Sequence, residues 1–223
     1  MIDGTDPSDW RAWRRVRRRS LIEARRALAE ADRRERNTMI DAALRQGFGP
    51  LAGHDVGFCW PFAAEPEPRF AVRRWRDAGS RVALPVVVAP RTPLEFRQWW
   101  PGAPMGEGVY GIPYPVDTPV LHPAAALVPV NGFDDNGFRL GYGGGYFDRT
   151  LAAMDPRPVT IALGYETARI PTIHPRSHDI PLDFFVSEAG IVVREPDGVR
   201  RVDPGEAASL VRTRLKEAVS RAV

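Results

Sequence analysis

Lysine is almost missing from this chain. Lys216 is the only one, and arginine supplies the rest of the 31 basic residues, a bias of composition rather than a device for function. No GxxxxGK[ST] phosphate loop occurs. Cysteine is equally scarce: Cys59 stands alone, which excludes an intramolecular disulfide, and its setting VGFCWPF reads as that of a reduced, buried small hydrophobe. Of the four histidines, His174 and His178 are four apart, but Pro175 between them excludes a helical metal pair, and His54 and His122 are isolated. No apolar run approaches the roughly 18 residues of a membrane span. The opening MIDGTDPSDWRAW has acids where a signal peptide has a basic region, so a soluble, cytoplasmic protein is expected.

What is present suits a globular α/β protein. The 223 residues are 43% apolar, enough for a sizeable core. The formal net charge is only +3, yet residues 11–36 hold eleven arginines against four acids, so the basicity is local. Asp6-Pro7-Ser8-Asp9 offers a helix cap, and the Arg- and Ala-rich run that follows predicts helix from about Asp9 to Gln46, broken near 31–36. Gly47 and Gly49-Pro50 end it. Apolar runs at 56–62 and 82–89 around a helical stretch at 68–78 have the pattern of a βαβ unit with strands buried on both faces. Residues 90–123, rich in Pro and Gly, read as an irregular connection. Further strands are expected at 125–133, 159–165 and 183–193, a helix over GYFDRTLAAM, and a closing helix at 204–222. Strands alternating with helices predict a mostly parallel, three-layer α/β sheet.

The stretch RLGYGGGYFDRTL, residues 139–151, places four glycines in five positions between a strand and a helix. Glycines permit positive φ and close approach, consecutive amides form a nest, and a helix N-terminus adds partial positive charge, so an anion such as phosphate is the natural guest. A tight turn with close helix packing explains the glycines alone equally well.

The longer string FDDNGFRLGYGGGYFDR resembles the signature of the 5-formyltetrahydrofolate cyclo-ligase (5,10-methenyltetrahydrofolate synthetase) family. The resemblance extends over nearly the whole chain: the basic N-terminal helix, a Trp-Pro-x-x-x-Glu stretch at 60–65, ALP at 83–85, GIPYP, and HDIPLDFFVSE at 178–188. It implies a Rossmann-like, three-layer fold over 1–223 as a single α/β domain, with a basic helical segment 1–50, an α/β core 51–200 and a C-terminal helix 201–223. It also implies ATP- and Mg2+-dependent cyclisation of 5-formyltetrahydrofolate to 5,10-methenyltetrahydrofolate, with release of ADP and phosphate. The formyl oxygen attacks the γ-phosphate, N10 attacks the activated carbon, and phosphate leaves. Such chemistry needs alignment and charge neutralisation rather than a general base or covalent nucleophile.

The family pattern assigns roles to particular positions. For the ATP phosphates it implies Arg14, Arg139 and the segment Gly141, Tyr142, Gly143, Gly144, Gly145, Tyr146 and Phe147. Arg18, Trp60, Glu65 and Tyr146 fall to the folate, and Asp148 and Asp179 to Mg2+. Arg14 stands where the family has Lys, with Arg15 as rival, and shares a helix face with Arg18. Glu65 has the chemistry to accept paired N–H groups of a pterin, with Glu67 as competitor. Each also has a plainer structural role: Asp148 as an acid at a helix start, Asp179 as a loop cap, Trp60 as core, and the remaining arginines as a solvated face. Phe147 replaces a second tyrosine and loses its hydroxyl. The expected partners are ATP and 5-formyltetrahydrofolate, with no nucleic acid and no membrane, and a monomer is expected. Two other readings stay open: a related protein that binds ATP and another folate-like ligand, and a nucleic-acid-binding protein using the Arg-rich helix.

Overall fold

The computed structural model describes residues 8–108 and 111–221; Asp6, Pro7, Val109, Tyr110 and Ala222, read above as cap, connection and closing helix, lie outside the described residues. Helix α1 (Trp10–Arg26) opens under an Asp9 cap whose carboxylate accepts the Ala12 amide at 2.9 Å. It stops at Ala27, and α2 (Glu30–Gly47) starts after Ala29, so the break falls at 27–29 rather than 31–36. Ala29 takes extended backbone angles without a side-chain cap, while Glu30 and Asp32 place negative charge in the first turn of α2.

Strand β1 (Val56–Gly57), α3 (Arg69–Asp77) and β2 (Val82–Val86) form the expected βαβ unit, with β1 and β2 parallel. The connection read as irregular contains four strands: β3 (Glu95–Trp99), β4 (Met105–Glu107), β5 (Pro113–Pro115) and β6 (Val120–Leu121). β3 and β6 add an antiparallel edge beside β2, and β4 and β5 form a separate ribbon. The run at 125–133 splits into β7 (Ala125–Pro129) in the large sheet and β8 (Gly132–Asp134) in a small one, where β8 pairs with β9 (Arg139–Leu140). Then come α4 (Tyr146–Ala153), β10 (Val159–Leu163), β11 (Arg169–Ile170), β12 (Phe184–Ser187), β13 (Gly190–Glu195), β14 (Gly198–Val202) and α5 (Pro204–Arg221). Asp203 caps α5 by accepting the Glu206 amide.

The large sheet runs β14-β13-β12-β10-β7-β1-β2-β3-β6. Its five central strands are parallel, and antiparallel strands flank them on both edges. Strand residues divide between two cores with period two. Val82, Leu84, Ala125, Leu127, Val159, Ile161, Phe184 and Val186 pack with Ile40, Leu44, Trp75 and Val211 of α2, α3 and α5. Ala83, Ala126, Val128, Ala162 and Phe185 face the other way, toward Leu151 of α4 and Phe133 of β8. Burial on both faces is why these strands read as unbroken apolar runs. A one-residue slip would exchange the two faces, so the register is fixed by the packing.

Helix α1 stands apart from both cores. Leu21 and Trp13 sit on a third cluster with Leu140, Ile170 and Ile173, which places α1 on the small sheet β11-β8-β9. No helix among the described residues is long and apolar enough to cross a membrane.

Candidate active site

Strand β1 lies between β2 and β7, so the chain builds the sheet outward from β1 in one direction and then returns to extend it in the other. A crevice opens outside the carboxyl ends of adjacent parallel strands at such a reversal. Past β1 the chain runs through Trp60 into a tight turn at Phe62–Glu65, closed by the Glu65 amide on the Phe62 carbonyl at 3.1 Å. Ala63 and Ala64 occupy the left-handed region, with φ of 50° and 61°. Each costs about 1–2 kcal/mol for a residue with a Cβ, so the surrounding contacts must impose the turn. Arg25 of α1 supplies part of that grip: its Nε donates to the Ala63 carbonyl at 2.9 Å and its Nη1 to the Val130 carbonyl at 3.2 Å. One guanidinium thereby joins the segments beyond β1 and β7.

Glu65 projects from this turn and is 8% exposed. Its Oε2 accepts the Phe62 amide at 3.0 Å, and its Oε1 accepts the Tyr142 hydroxyl at 2.6 Å. That hydroxyl in turn accepts Arg25 Nη2 at 3.0 Å, and Arg25 stands 3.8 Å from the carboxylate. Burial raises the Glu65 pKa, held back by Tyr142, the Phe62 amide and Arg25. Burial pushes the Tyr142 phenol up, as does the adjacent Glu65 charge, so it remains a hydroxyl donor. Glu67 faces elsewhere, paired with Arg69.

The glycine stretch links β9 to α4. Gly143 has φ +97° and Gly145, the cap of α4, has φ +65°. Among the described residues, no protein acceptor is found for the amides of Gly141 through Gly145, and the tip 142–144 is exposed. Arg18 lies beneath the loop: its Nε donates to the Gly141 carbonyl at 2.6 Å, and a Cβ at Gly143 would meet its Cζ at 3.2 Å. Burial, and then the charge of Arg14, lower the Arg18 pKa. Arg149 reaches back to the Gly144 carbonyl and covers the Tyr146 ring.

Behind the loop is a buried ionic cluster. Asp148, in the first turn of α4, accepts the Ile180 amide at 3.0 Å and pairs with Arg139 at 3.2 Å, both through Oδ1. Arg139, 7% exposed, also donates to the Ile180 carbonyl. Burial lowers its pKa, opposed by Asp148 and Asp179. Asp179 receives Arg14 as a two-pronged fork at 3.1 and 2.6 Å and accepts the Arg176 amide at 2.6 Å. Burial works against its charge, yet the Arg14 fork and that amide hold its carboxyl below the ordinary range. Arg14 spends its other donors on the carbonyls of Ile173 and His174.

The structure thus places Arg14 inward and leaves Arg15 exposed. It brings Asp148, Asp179 and Arg139 into one cluster, with Arg18 reaching the loop at the Gly141 carbonyl, and sets Glu65 beyond β1, where the Tyr142 hydroxyl of the glycine loop meets it. Tyr142, read above with the phosphates, turns its hydroxyl to Glu65. Trp60 packs on the main core and meets Trp99 edge to face at 5.7 Å, with Arg69 over its ring. Phe147 packs on the second core under Arg139. Arg25 escaped the sequence reading, although it lies seven residues from Arg18 and eleven from Arg14, hence on the same helix face.

Among the described residues no group of three or more His, Cys, Asp or Glu forms a ready metal cage. Mg2+ does not require one: it keeps several waters and takes one or two carboxylates plus substrate phosphates. Asp148 fits that demand. Its Oδ1 is taken, and no partner is found for Oδ2 among the described residues, on a side chain 20% exposed beside the loop amides. Asp179 is already held by Arg14.

Comparison with known proteins matches the description of the 5-formyltetrahydrofolate cyclo-ligase family over residues 10–188. A 5-formyltetrahydrofolate cyclo-ligase of Haemophilus influenzae is 30% identical over 136 residues, covering 57% of this chain and 72% of its own length. One from Mycolicibacterium smegmatis is 28% identical over 187 residues, 78% of this chain and 94% of its own. The solved structure of the Aquifex aeolicus 5,10-methenyltetrahydrofolate synthetase superposes with a TM-score of 0.71 at 23% identity, over 85% of this chain and 96% of the other. That of the Mycoplasma pneumoniae enzyme gives 0.66 at 19%, over 78% and 98%. At these identities the two structures speak to the fold.

Proposed function

The chain belongs to the 5-formyltetrahydrofolate cyclo-ligase family, and from that premise we propose that it closes 5-formyltetrahydrofolate to 5,10-methenyltetrahydrofolate at the expense of ATP. The observation that carries the proposal is that two chemically distinct groups meet beyond the parallel strands. In one, five consecutive amides for which no protein acceptor is found among the described residues lie over Arg18, just before Asp148 in the chain. In the other, a buried carboxylate, Glu65, suits the paired N–H donors of a pterin.

In this reading the loop amides hold the ATP phosphates, and Arg18, expected above at the folate, is reassigned to them because it lies under the loop on the Gly141 carbonyl; together they neutralise charge as it shifts toward the leaving ADP. Glu65 fixes the pterin so that the formyl oxygen faces the γ-phosphate. Once that oxygen is phosphorylated, N10 adds to the formyl carbon, phosphate leaves with the former formyl oxygen, and N10 gives up its proton. Alignment is the main contribution of the protein. Asp148 would hold Mg2+, which supplies charge neutralisation at the phosphates when bound. Arg139 and the Ile180 amide aim Asp148 through its Oδ1; Arg14 and Asp179 hold the loop at 173–180 against α1.

The test is ADP release. The protein with Mg2+ and ATP should release ADP only when 5-formyltetrahydrofolate is present. Asp148→Asn should lower that rate at least about 100-fold, while binding 5-formyltetrahydrofolate within about threefold of the parent. ADP release indifferent to the folate, or equal losses of turnover and folate binding in Asp148→Asn, would overturn the reading.

A further inference from the structure

Tyr142 belongs to the glycine loop by sequence, yet its hydroxyl is built into the opposite wall. It donates to Glu65 at 2.6 Å and accepts from Arg25 at 3.0 Å, and both of those side chains are buried. The ring leans edge to face on Phe62, at 5.8 Å between centroids, while the residue as a whole is 41% exposed. The glycines on either side, Gly141, Gly143, Gly144 and Gly145, leave the loop backbone otherwise permissive. A side chain from the phosphate loop is therefore tied directly to the carboxylate assigned to the pterin.

We propose that Tyr142 is a positioning residue that couples the two substrate sites, so that ATP and 5-formyltetrahydrofolate each strengthen the binding of the other. The inference rests on the assignment of the loop to phosphate and of Glu65 to folate. Phosphates that order the loop hold Tyr142 on Glu65, which aims that carboxylate and favours its charged, acceptor-only form. A pterin donating to the free lone pairs of Glu65 fixes the carboxylate and, through it, Tyr142 and the loop. Each ligand thus prefers the arrangement in which the Tyr142–Glu65 hydrogen bond is made, which is what coupling requires. A carboxylate has about four acceptor positions, and the Phe62 amide and Tyr142 take two, so pterin and tyrosine need not compete.

The charge environment supplies an independent readout. Glu65 is faced by Arg25 from α1, Tyr142 from the loop, the Phe62 amide from its own turn, and Cys59, whose thiol is kept neutral by burial and by Glu65 itself. Removing the Tyr142 hydroxyl takes away one of the influences that favour ionised Glu65 and leaves burial to push its pKa further up. A pterin needs the ionised form. Folate affinity in Tyr142→Phe should therefore begin to fall at a higher pH, on acidification, than in the parent.

The experiment is equilibrium dialysis of 5-formyltetrahydrofolate, with and without a non-hydrolysable ATP analogue and Mg2+, across a pH series. In the parent the analogue should tighten folate binding about fivefold or more, and folate should tighten the analogue by the same factor. In Tyr142→Phe that factor should fall toward one and the pH profile should shift upward, while the analogue alone still binds. A parent protein that binds both ligands without coupling overturns the inference whatever the variant does. So does Tyr142→Phe with parental coupling and an unmoved profile. A parent that fails to bind 5-formyltetrahydrofolate under any condition overturns instead the underlying folate assignment, a distinct result.

Discussion

Gly143 stands at φ +97°, and a Cβ there would lie 3.2 Å from the Arg18 guanidinium. Two separate penalties therefore meet at one residue. Gly143→Ala would add about 1–2 kcal/mol of left-handed strain and push Arg18 from its bond to the Gly141 carbonyl. The expected outcome is a rise of about tenfold or more in the ATP KM, with the folate dissociation constant measured without nucleotide within threefold of the parent; unchanged ATP kinetics would show that the loop is a spacer. At this scale residue type and spacing signalled only a loop that tolerates positive φ and could receive an anion, whereas Arg18, Glu65 and Asp148 were singled out by the resemblance to the family and not by local pattern. The direction of Tyr142 was given by neither. Its neighbours in sequence are the loop glycines, while its partners, Glu65 and Arg25, are 77 and 117 residues away. Phe147 lacks the family hydroxyl, and its ring rests on the second core under Arg139.

Helix α1 is the element on which the site depends most. Its inward face carries Arg14, Arg18, Leu21 and Arg25, four, three and four residues apart, so one helix delivers three guanidiniums, to Asp179, to the Gly141 carbonyl and to the Tyr142 hydroxyl. Arg14 and Asp179, with side chains 9% and 8% exposed, lock the helix to the loop at 173–180. Asp179→Asn strands the Arg14 charge and should cost about 3 kcal/mol. The sign of the pH effect follows from the depressed carboxyl. The stabilisation is fully present above the ordinary aspartate pKa of about 4 and is lost as pH falls through the lower folded value. Urea unfolding from pH 7 down to pH 3 should show the parent losing stability at the acid end and Asp179→Asn losing less of it. An identical acid dependence would place the acid lability elsewhere.

The other elements differed in how plainly they could be read. The central strands are buried on both faces and stand out as apolar runs. β3, with the sequence EFRQW, buries only Phe96 fully and lies among prolines, so its alternation was masked. The break after α1 falls in Ala27-Leu28-Ala29, good helix formers without a stop signal; it is set by tertiary contacts, with Arg25 anchored and Leu28 packed on the main core.

At the scale of the molecule, the sheet reverses direction at β1, between β2 and β7, and α1, packed on the small sheet, reaches the segments beyond β1 and β7 through Arg25. Neither the nine-stranded order nor the split of residues 125–133 between two sheets follows from local pattern, because pairing partners lie far apart in the chain. In the proposed function, this arrangement brings a phosphate end and a pterin end together. The most direct test is the absorbance of 5,10-methenyltetrahydrofolate after mixing the protein with Mg2+, ATP and 5-formyltetrahydrofolate. The account predicts product that appears only with ATP, with one phosphate released per product formed. No product from protein that binds both ATP and 5-formyltetrahydrofolate would contradict it.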